Sequence, residues 1–553
     1  MQTMKGLYSA SKFNFKSLSL EMKNSPFQFF LILVLVSMTA IKLSLLGSGF
    51  LTFPDEYRYA QSGKAIHDFS QGRYINAMDA LFSTRARPGE AFLNMIPNAM
   101  QFITAKLFGL HFYESKNSIS LFLFNFFIYC FLLLVHFKFS KVILNDKKLA
   151  LVSVVLFGAI TNSYLYLRHA LPYDMSLLLF YWIIFKITQY SKLSEMLSSK
   201  AFFIGILTFS AYLIYPGYVF LFACIVVLLL FNTVSPSKLY QKFRVSLFFG
   251  LGCLLMLLGF ELMARLAENS YINDLIRLSK TISQGSFEES FTFILKYLFE
   301  LEGISGLVLV FLLFVFFIAG IYFVLKGKLQ NHKTLLIISI VFILFFVSYA
   351  STGYFLHQTV FYGRLIHQFL PFLCVFSIFA FQTFVIGFIK SYKTRNLVSL
   401  LLVCILMIDF CFKLTNYQKV SYPHDLEGSE LARLYHVNEV TKVFEYANSM
   451  EYGGKWRLGV RINRKTVFPP MNQDQKDSVS KIVLVNAGYL FPVKDISLYK
   501  AYQAPTSYKL LDSKPHFMNF KAYQYEVYSI EERRNIDAMN LQMRTYLFKT
   551  IVK

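Results

Sequence analysis

Charge is scarce in this chain. Asp, Glu, Lys and Arg make up 16% of its 553 residues, against 55% hydrophobic. That balance cannot clothe a water-facing surface, and repeated apolar runs reach spanning length, so most of the chain belongs in a bilayer. Tryptophan is nearly missing, at 2 residues, so the 18% aromatic share is almost wholly Phe and Tyr, suited to lipid and interface. The six cysteines, Cys130, Cys224, Cys253, Cys374, Cys404 and Cys411, all lie in apolar segments. The polar C-terminal part therefore has neither a disulfide framework nor a Cys-based zinc site. No Asn-x-Ser/Thr sequon occurs, which favours a bacterial membrane over a secretory one. Acid is the scarcer charge, 32 against 55 basic residues, for a net +23. In a soluble protein that excess would suggest nucleic acid. Here Lys and Arg fall in short clusters between apolar runs, as the positive-inside rule requires, and no nucleic-acid partner is expected. Internal repeats and low-complexity tracts are also missing.

Length divides what remains. Residues 1–415 are membrane-dominated, whereas 416–553 contain no spanning run and read as a soluble domain. Within the latter, 436–450 has amphipathic helical spacing. Residues 456–462, 481–485 and 520–530 read as strands, and 508–530 as a hairpin turning at Ser513–His516. Together they predict a mixed α/β domain.

Topology follows from charge. Lys5, Lys12, Lys16 and Lys23 precede an apolar segment from Phe27 to Ser48. The segment is too long for a signal-peptide core and lacks a small-residue cleavage site. It reads as a retained signal anchor with a cytoplasmic N-terminus and Lys42 snorkelling to the far interface. Further spans are expected near 118–137, 149–167, 172–190, 201–214, 216–231, 245–266, 304–325, 334–352, 365–389 and 397–415. Segment 89–108, with Glu90, Pro97, Gln101 and Lys106, is costly in hydrocarbon. If it lies in the interface, every basic link falls on the cytoplasmic side: Lys138–Lys148, Lys192/Lys200, Lys238–Arg244, Lys326–Lys333 and Lys390–Arg395. The resulting expectation is a polytopic α-helical membrane protein of about 11 spans plus juxtamembrane helices. Its location would be a bacterial inner membrane, with the C-terminal domain on the periplasmic side.

This topology gathers loop 49–117, the turn Arg168–Asp174, Tyr215-Pro216-Gly217, link 267–303 and loop 353–364 on the outer face. The adjacent carboxylates Asp55-Glu56 leave the first span there, followed by Arg58. Such a pair opens a surface helix as an N-cap acid, or supplies a catalytic base beside an anion-holding arginine. Asp174 likewise serves as an ordinary helix-start acid or as a group that orients substrate. The histidines, among them His67, His111, His357 and His367, show no metal-ligand spacing.

The run Asp55-Glu56-Tyr57-Arg58-Tyr59-Ala60 resembles the acidic pair after the first span in the GT-C superfamily of integral-membrane glycosyltransferases. The likeness is greatest to the branch of lipid A aminoarabinose transferases and protein O-mannosyltransferase relatives. Two further elements are similar. Ala86-Arg87-Pro88-Gly89, ending at Leu107-Phe108-Gly109, stands where the family has Lys/Arg-Pro-Pro-Leu, with the second proline and the leucine missing. Arg168-His169-Ala170-Leu171-Pro172-Tyr173-Asp174 fits an Arg-x-Ala-Leu-x-x-Asp pattern. Motifs cover roughly the first 190 residues. A mid-chain Lys-Gly-Pro element is replaced by Tyr215-Pro216-Gly217, so one usual anion-site lysine is missing. Gly363–His367 followed by Pro371 is similar to a late Arg…Pro element.

The resemblance implies transfer of a sugar from a polyprenyl-phosphate donor to an extracytoplasmic acceptor, which is a lipid, a glycan or a protein. Asp55 would take the acceptor proton, with Glu56 as helper and Asp174 as the third catalytic carboxylate. Arg58, Arg87, His169 and Arg364 would bind the leaving phosphate. No cofactor or metal is expected if the arginines supply the charge. Two other classes remain open. A transporter or flippase of lipid-linked sugars predicts ionisable residues at mid-span, where Glu261 and Asp409 fall. A non-catalytic scaffold or sensor would use the C-terminal domain for binding.

Overall fold

The computed structural model describes residues 26–47, 57–83, 86–109, 119–189, 198–231, 239–282, 291–325, 333–357, 363–418, 440–445, 482–487, 508–516 and 543–550. Its architecture is that of an α-helical membrane protein. The helices in chain order begin with α1 (Pro26–Ile41), α2 (Tyr57–Ser70), α3 (Tyr74–Phe82), α4 (Pro88–Phe108), α5 (Ile119–Leu144) and α6 (Lys147–Ala159). There follow α7 (Tyr173–Gln189), α8 (Ser198–Ile214), α9 (Val219–Phe231), α10 (Leu239–Leu266) and α11 (Tyr271–Ile282). The last are α12 (Phe293–Leu301), α13 (Gly303–Leu325), α14 (Lys333–Leu356), α15 (Leu370–Ala380) and α16 (Tyr392–Gln418).

Among the described residues six helical segments are long and apolar enough to cross a membrane: Pro26–Leu45, Ile119–Leu144, Leu239–Leu266, Lys333–Leu356, Leu370–Phe388 and Tyr392–Thr415. Ser198–Ile214, Val219–Phe231 and Gly303–Ile318 are shorter apolar helices.

The stretch 149–167, expected as one span, is instead a 13-residue helix followed by turns. Asp146 opens α6, its side chain accepting the N–H groups of Lys148 at 2.7 Å and Leu149 at 3.1 Å, as an N-cap acid does. The helix stops at Ile160, whose backbone is extended, and short 3-10 turns follow at Thr161–Ser163 and Leu165–Arg168. Every residue from Leu149 to Asp174 is buried. α1, α5, α15 and α16 pack around α6.

Non-helical backbone in such a place must have its polar groups satisfied by protein. Glu302 accepts the N–H of Thr161 at 2.7 Å and of Asn162 at 3.1 Å. The Lys42 ammonium donates to the Gly158 carbonyl at 2.7 Å, and Gly47 N–H to that of Leu167 at 3.2 Å. Lys42 therefore does not snorkel. It is 1% exposed, donates also to the Tyr129 hydroxyl at 2.6 Å, and stands over the rings of Tyr129, Tyr164 and Phe410. Three ring faces and the Gly158 carbonyl surround the amine here.

A second buried polar tie fixes the C-terminal end of the helical part. Asp409 on α16 accepts Ile304 N–H at 3.1 Å and Ser305 N–H at 2.9 Å, capping the start of α13. Lys413, one turn further on, lies 2.9 Å from Asp409 and 3.2 Å from Glu302. The other intramembrane acid, Glu261, pairs with Arg265 at 2.6 Å and accepts Ile272 N–H at 3.0 Å at the start of α11.

Helices α8 and α10 cross without side chains between them. A Cβ on Gly205 would lie 2.1 Å from the Phe249 carbonyl oxygen, and one on Gly252 would lie 2.1 Å from that of Phe202. Small residues at such a crossing let two backbones approach, as membrane helices require. Gly205→Leu is expected to force the pair apart at a cost of about 1–3 kcal/mol. Thermal unfolding of the purified protein checks this, and an unchanged midpoint would show that the crossing tolerates separation.

Beyond residue 418 the described residues form one four-stranded sheet. Its strands are β1 (Val440–Glu445), β2 (Ile482–Ala487), β3 (Tyr508–His516) and β4 (Met543–Thr550), ordered β1-β2-β4-β3. β1 runs parallel to β2, and β4 runs antiparallel to both β2 and β3. β1 falls where amphipathic spacing predicts helix. The β-branched Val440, Thr441 and Val443 suit the pleated ladder better. The expected turn at Ser513–His516 lies inside β3, with a register shift between Leu510 and Asp512. The expected strands 456–462 and 520–530 lie outside the described residues.

Candidate functional site

α4 has an inverted pattern. Glu90, Asn94, Asn98 and Gln101 recur at helical spacing and are buried, while Ile96, Met100, Ile103 and Leu107 are exposed. The polar stripe docks α2: the Tyr59 hydroxyl donates to Gln101 at 2.5 Å, Asn98 donates to the Tyr59 carbonyl at 3.1 Å, and Ser62 donates to that of Ala91 at 2.8 Å. These bonds turn residues that looked costly in hydrocarbon into the seam that sets the position of Arg58.

The turn into α4 sets Arg87. Ala86 has φ 63°, left-handed backbone in a residue with a side chain, a strain of about 1–2 kcal/mol. Such strain concentrates at functional sites. Pro88 then starts the helix, and Gly89 meets the end of α8 so closely that a Cβ would lie 2.6 Å from the Leu213 carbonyl carbon. That contact explains why glycine stands where the resembled pattern has its second proline. The Arg87 guanidinium lies 4.8 Å from the Tyr215 ring centroid.

Arg58 and Arg87 face the same carboxylate, Glu90, whose Oε2 is 3.6 Å from the first and 4.0 Å from the second. Both arginines are 8% exposed and Glu90 is fully buried. Arg87 is thus no exposed loop guanidinium, as its place in the sequence had suggested, but a packed one.

A run of tyrosine rings leads from this centre to another. Tyr215 meets Tyr173 at 4.5 Å and Tyr218 at 4.8 Å, Tyr173 meets Tyr166 at 4.7 Å, and Tyr166 meets His367 at 4.9 Å. The edge-to-face geometry is the arrangement that aromatic quadrupoles favour. Ser176 on α7 donates to the Ala211 carbonyl on α8 at 3.0 Å, holding Tyr173 beside Tyr215. At the far end Asp174, in the first turn of α7, lies 3.0 Å from His367 Nε2. His367 belongs to the 3-10 turn Gly363–Gln368, and its Nδ1 is 2.8 Å from the Asn162 carbonyl. Asn162 in turn donates to the Tyr297 hydroxyl at 2.5 Å.

Of the candidate residues, Arg58 and Arg87 are brought together at Glu90, while Asp174 meets His367, which was not among them. Asp55 and Glu56 lie outside the described residues, and so does the Arg364 side chain, although its turn delivers His367. His169 is fully buried, and its carbonyl accepts a hydrogen bond from Asn125 at 3.2 Å. Arg168 donates to the Tyr417 carbonyl at 2.7 Å and stacks over that ring at 4.6 Å, fastening the end of α16. Sequence reasoning missed Glu90 and His367. Glu90, two residues after the start proline of α4, carried a helix-start signal; His367 closed the Gly363–His367 element, which pointed to Arg364 instead. Among the described residues no group of three or more His, Cys, Asp or Glu comes together.

No family model matches this chain, and no curated protein matches it.

Proposed function

We propose that this protein is a membrane glycosyltransferase, which moves a sugar from a polyprenyl-phosphate donor to a lipid, glycan or protein acceptor. The observation supporting the reading is the convergence of Arg58 and Arg87 at Glu90, beside the tyrosine wall and three residues after Asp55 in the chain. Guanidinium pairs are suited to phosphate because each can engage two oxygens at once. In the reaction the acceptor oxygen or nitrogen bonds to the anomeric carbon, the bond from that carbon to the phosphate oxygen breaks, and the lipid phosphate leaves with the electron pair. Asp55 takes the acceptor proton, Glu56 assists, and Arg58 and Arg87 neutralise the departing phosphate together with His169 and Arg364. Asp174 orients hydroxyl groups at the other end of the wall. The site and residues 416–553, an α/β domain for the acceptor, share the outer side of a bacterial inner membrane that about 11 segments cross.

The mid-span acids that would favour a transporter have structural work instead: Asp409 caps α13 and Glu261 caps α11. The test is transfer by purified protein offered a panel of polyprenyl-phosphate sugars, with Arg87→Lys beside the parent. Lysine keeps the charge but loses the fork, so the donor KM is expected to rise about tenfold, the size of ~1.4 kcal/mol. An unchanged donor KM would remove Arg87 from the phosphate site.

A further inference from the structure

We propose that the groove between the starts of α8 and α10 binds one anionic phospholipid, its phosphate on Arg244 and one acyl chain along the groove. The two helices run in the same direction. Ser198 at the start of α8 meets Arg244 near the start of α10, and Gly205 meets Phe249 further along. On the side of the glycine contact nearer both starts lies a cavity of about 390 Å³, within the roughly 300–1,000 Å³ of small-ligand sites. Ser198, Tyr240 and Arg244 supply its polar groups, and Phe243, Leu247 and Phe248 its apolar wall.

Depth sets the kind of ligand. Arg244 and Arg265 stand about 32 Å apart along α10, close to the ~30 Å thickness of bilayer hydrocarbon. Between them the one charged residue is Glu261, which pairs with Arg265. Arg244 therefore falls at the level of lipid headgroups, with Tyr240 beside it in the interface. Leu247, Leu251, Leu254, Leu258 and Leu262 are exposed along the hydrocarbon stretch that follows. The candidate site is at the other end of α8, where Gly89 touches Leu213, about 22 Å along the helix from Ser198. The groove thus opens to the opposite leaflet.

Charge and geometry choose the occupant. An arginine at this depth would ordinarily snorkel toward water. Here Nε donates to Ser198 Oγ at 2.5 Å, which ties the guanidinium across the groove. Among the described residues its terminal amino groups meet no other polar partner. Two such groups match two oxygens of one phosphate. Lys200 and Lys242 add positive charge at the same helix ends, and no Asp or Glu occurs in α8, in α9 or in α10 before Glu261. A free phosphate would satisfy Arg244 and leave the wall of Phe243, Leu247 and Phe248 uncovered. A zwitterionic lipid would bring a second cation to an end that is already positive. A lipid with an anionic phosphodiester headgroup suits both the arginine and the apolar wall.

Native mass spectrometry of the full-length protein, delipidated in detergent and titrated with phosphatidylglycerol, tests the site without any turnover. The parent should hold one phosphatidylglycerol about tenfold more tightly than phosphatidylcholine, and Arg244→Gln should lose that preference. Leu247→Trp keeps the charge and fills the groove, so it should lose the tightly held lipid as well. Both variants change exposed side chains, so the fold should persist. Arg277→Gln, which alters an exposed arginine on α11, should bind as the parent does. Equal retention of the two lipids by the parent would overturn the proposal, as would parent-like retention by either Arg244→Gln or Leu247→Trp. Displacement of the lipid by inorganic phosphate would overturn it in favour of a free-anion site. Displacement by equimolar polyprenyl phosphate would overturn it in favour of a second place for that lipid class.

Discussion

Asp55→Asn is expected to lower single-turnover sugar transfer by ~10²-fold or more, the usual worth of a general base. Asparagine keeps the size of the side chain and cannot take a proton. The guanidiniums of Arg58 and Arg87 survive the change, and both stay within 4.0 Å of Glu90. Donor binding should therefore persist while the chemical step fails, which places the loss in kcat rather than in donor KM. Glu56→Gln should be milder if that acid only assists. Near-parent transfer by Asp55→Asn would remove the proposed base and move the transporter and scaffold readings ahead.

The second large effect concerns stability. Lys413 stands between two acids, with Asp409 at 2.9 Å and Glu302 at 3.2 Å, and its carbonyl contact with Glu302 is 3.0 Å. Lys413→Met removes the cation and leaves two carboxylates together in a covered site, at an expected cost of about 3–5 kcal/mol. Their remaining backbone donors soften the loss without replacing the charge. Thermal unfolding in detergent measures it. A further variant, Lys413→Met with Glu302→Gln and Asp409→Asn, should recover part of the loss because no buried charge is then left unpaired. A parent-like midpoint for Lys413→Met alone would show that the tie contributes nothing to folding.

The apolar runs made the helical membrane part legible, because hydrophobicity sustained over 18 or more residues is a local property of sequence. The break after Ala159 was not legible. Residues 149–167 are apolar enough to read as one span, and the acid that satisfies the turn, Glu302, is far away in the chain. Lys42 failed for a related reason: its partners Tyr129, Tyr164 and Phe410 are ordinary aromatics until the fold gathers them. At the site, Arg58, Arg87 and Asp174 could be nominated from short patterns. Glu90 read as a misfit in hydrocarbon, and what resolved it was the inverted stripe of α4, on which polar residues face protein and apolar ones face outward. His367 meets Asp174 only through tertiary structure, and no spacing in the chain signals that meeting.

The enclosure of α6 bears on how the protein is made. Its walls come from both ends of the membrane part, α1 and α5 before it and α15 and α16 long after it. The turn beyond it waits for Glu302, and its arginine waits for the carbonyl of Tyr417. A nascent chain therefore keeps a half-built centre in the bilayer until α16 leaves the ribosome. Chains truncated before residue 392 would lack Asp409, leaving the Ile304 and Ser305 N–H groups at the start of α13 without the carboxylate that accepts them. For this protein the core is complete only once α16 has joined it.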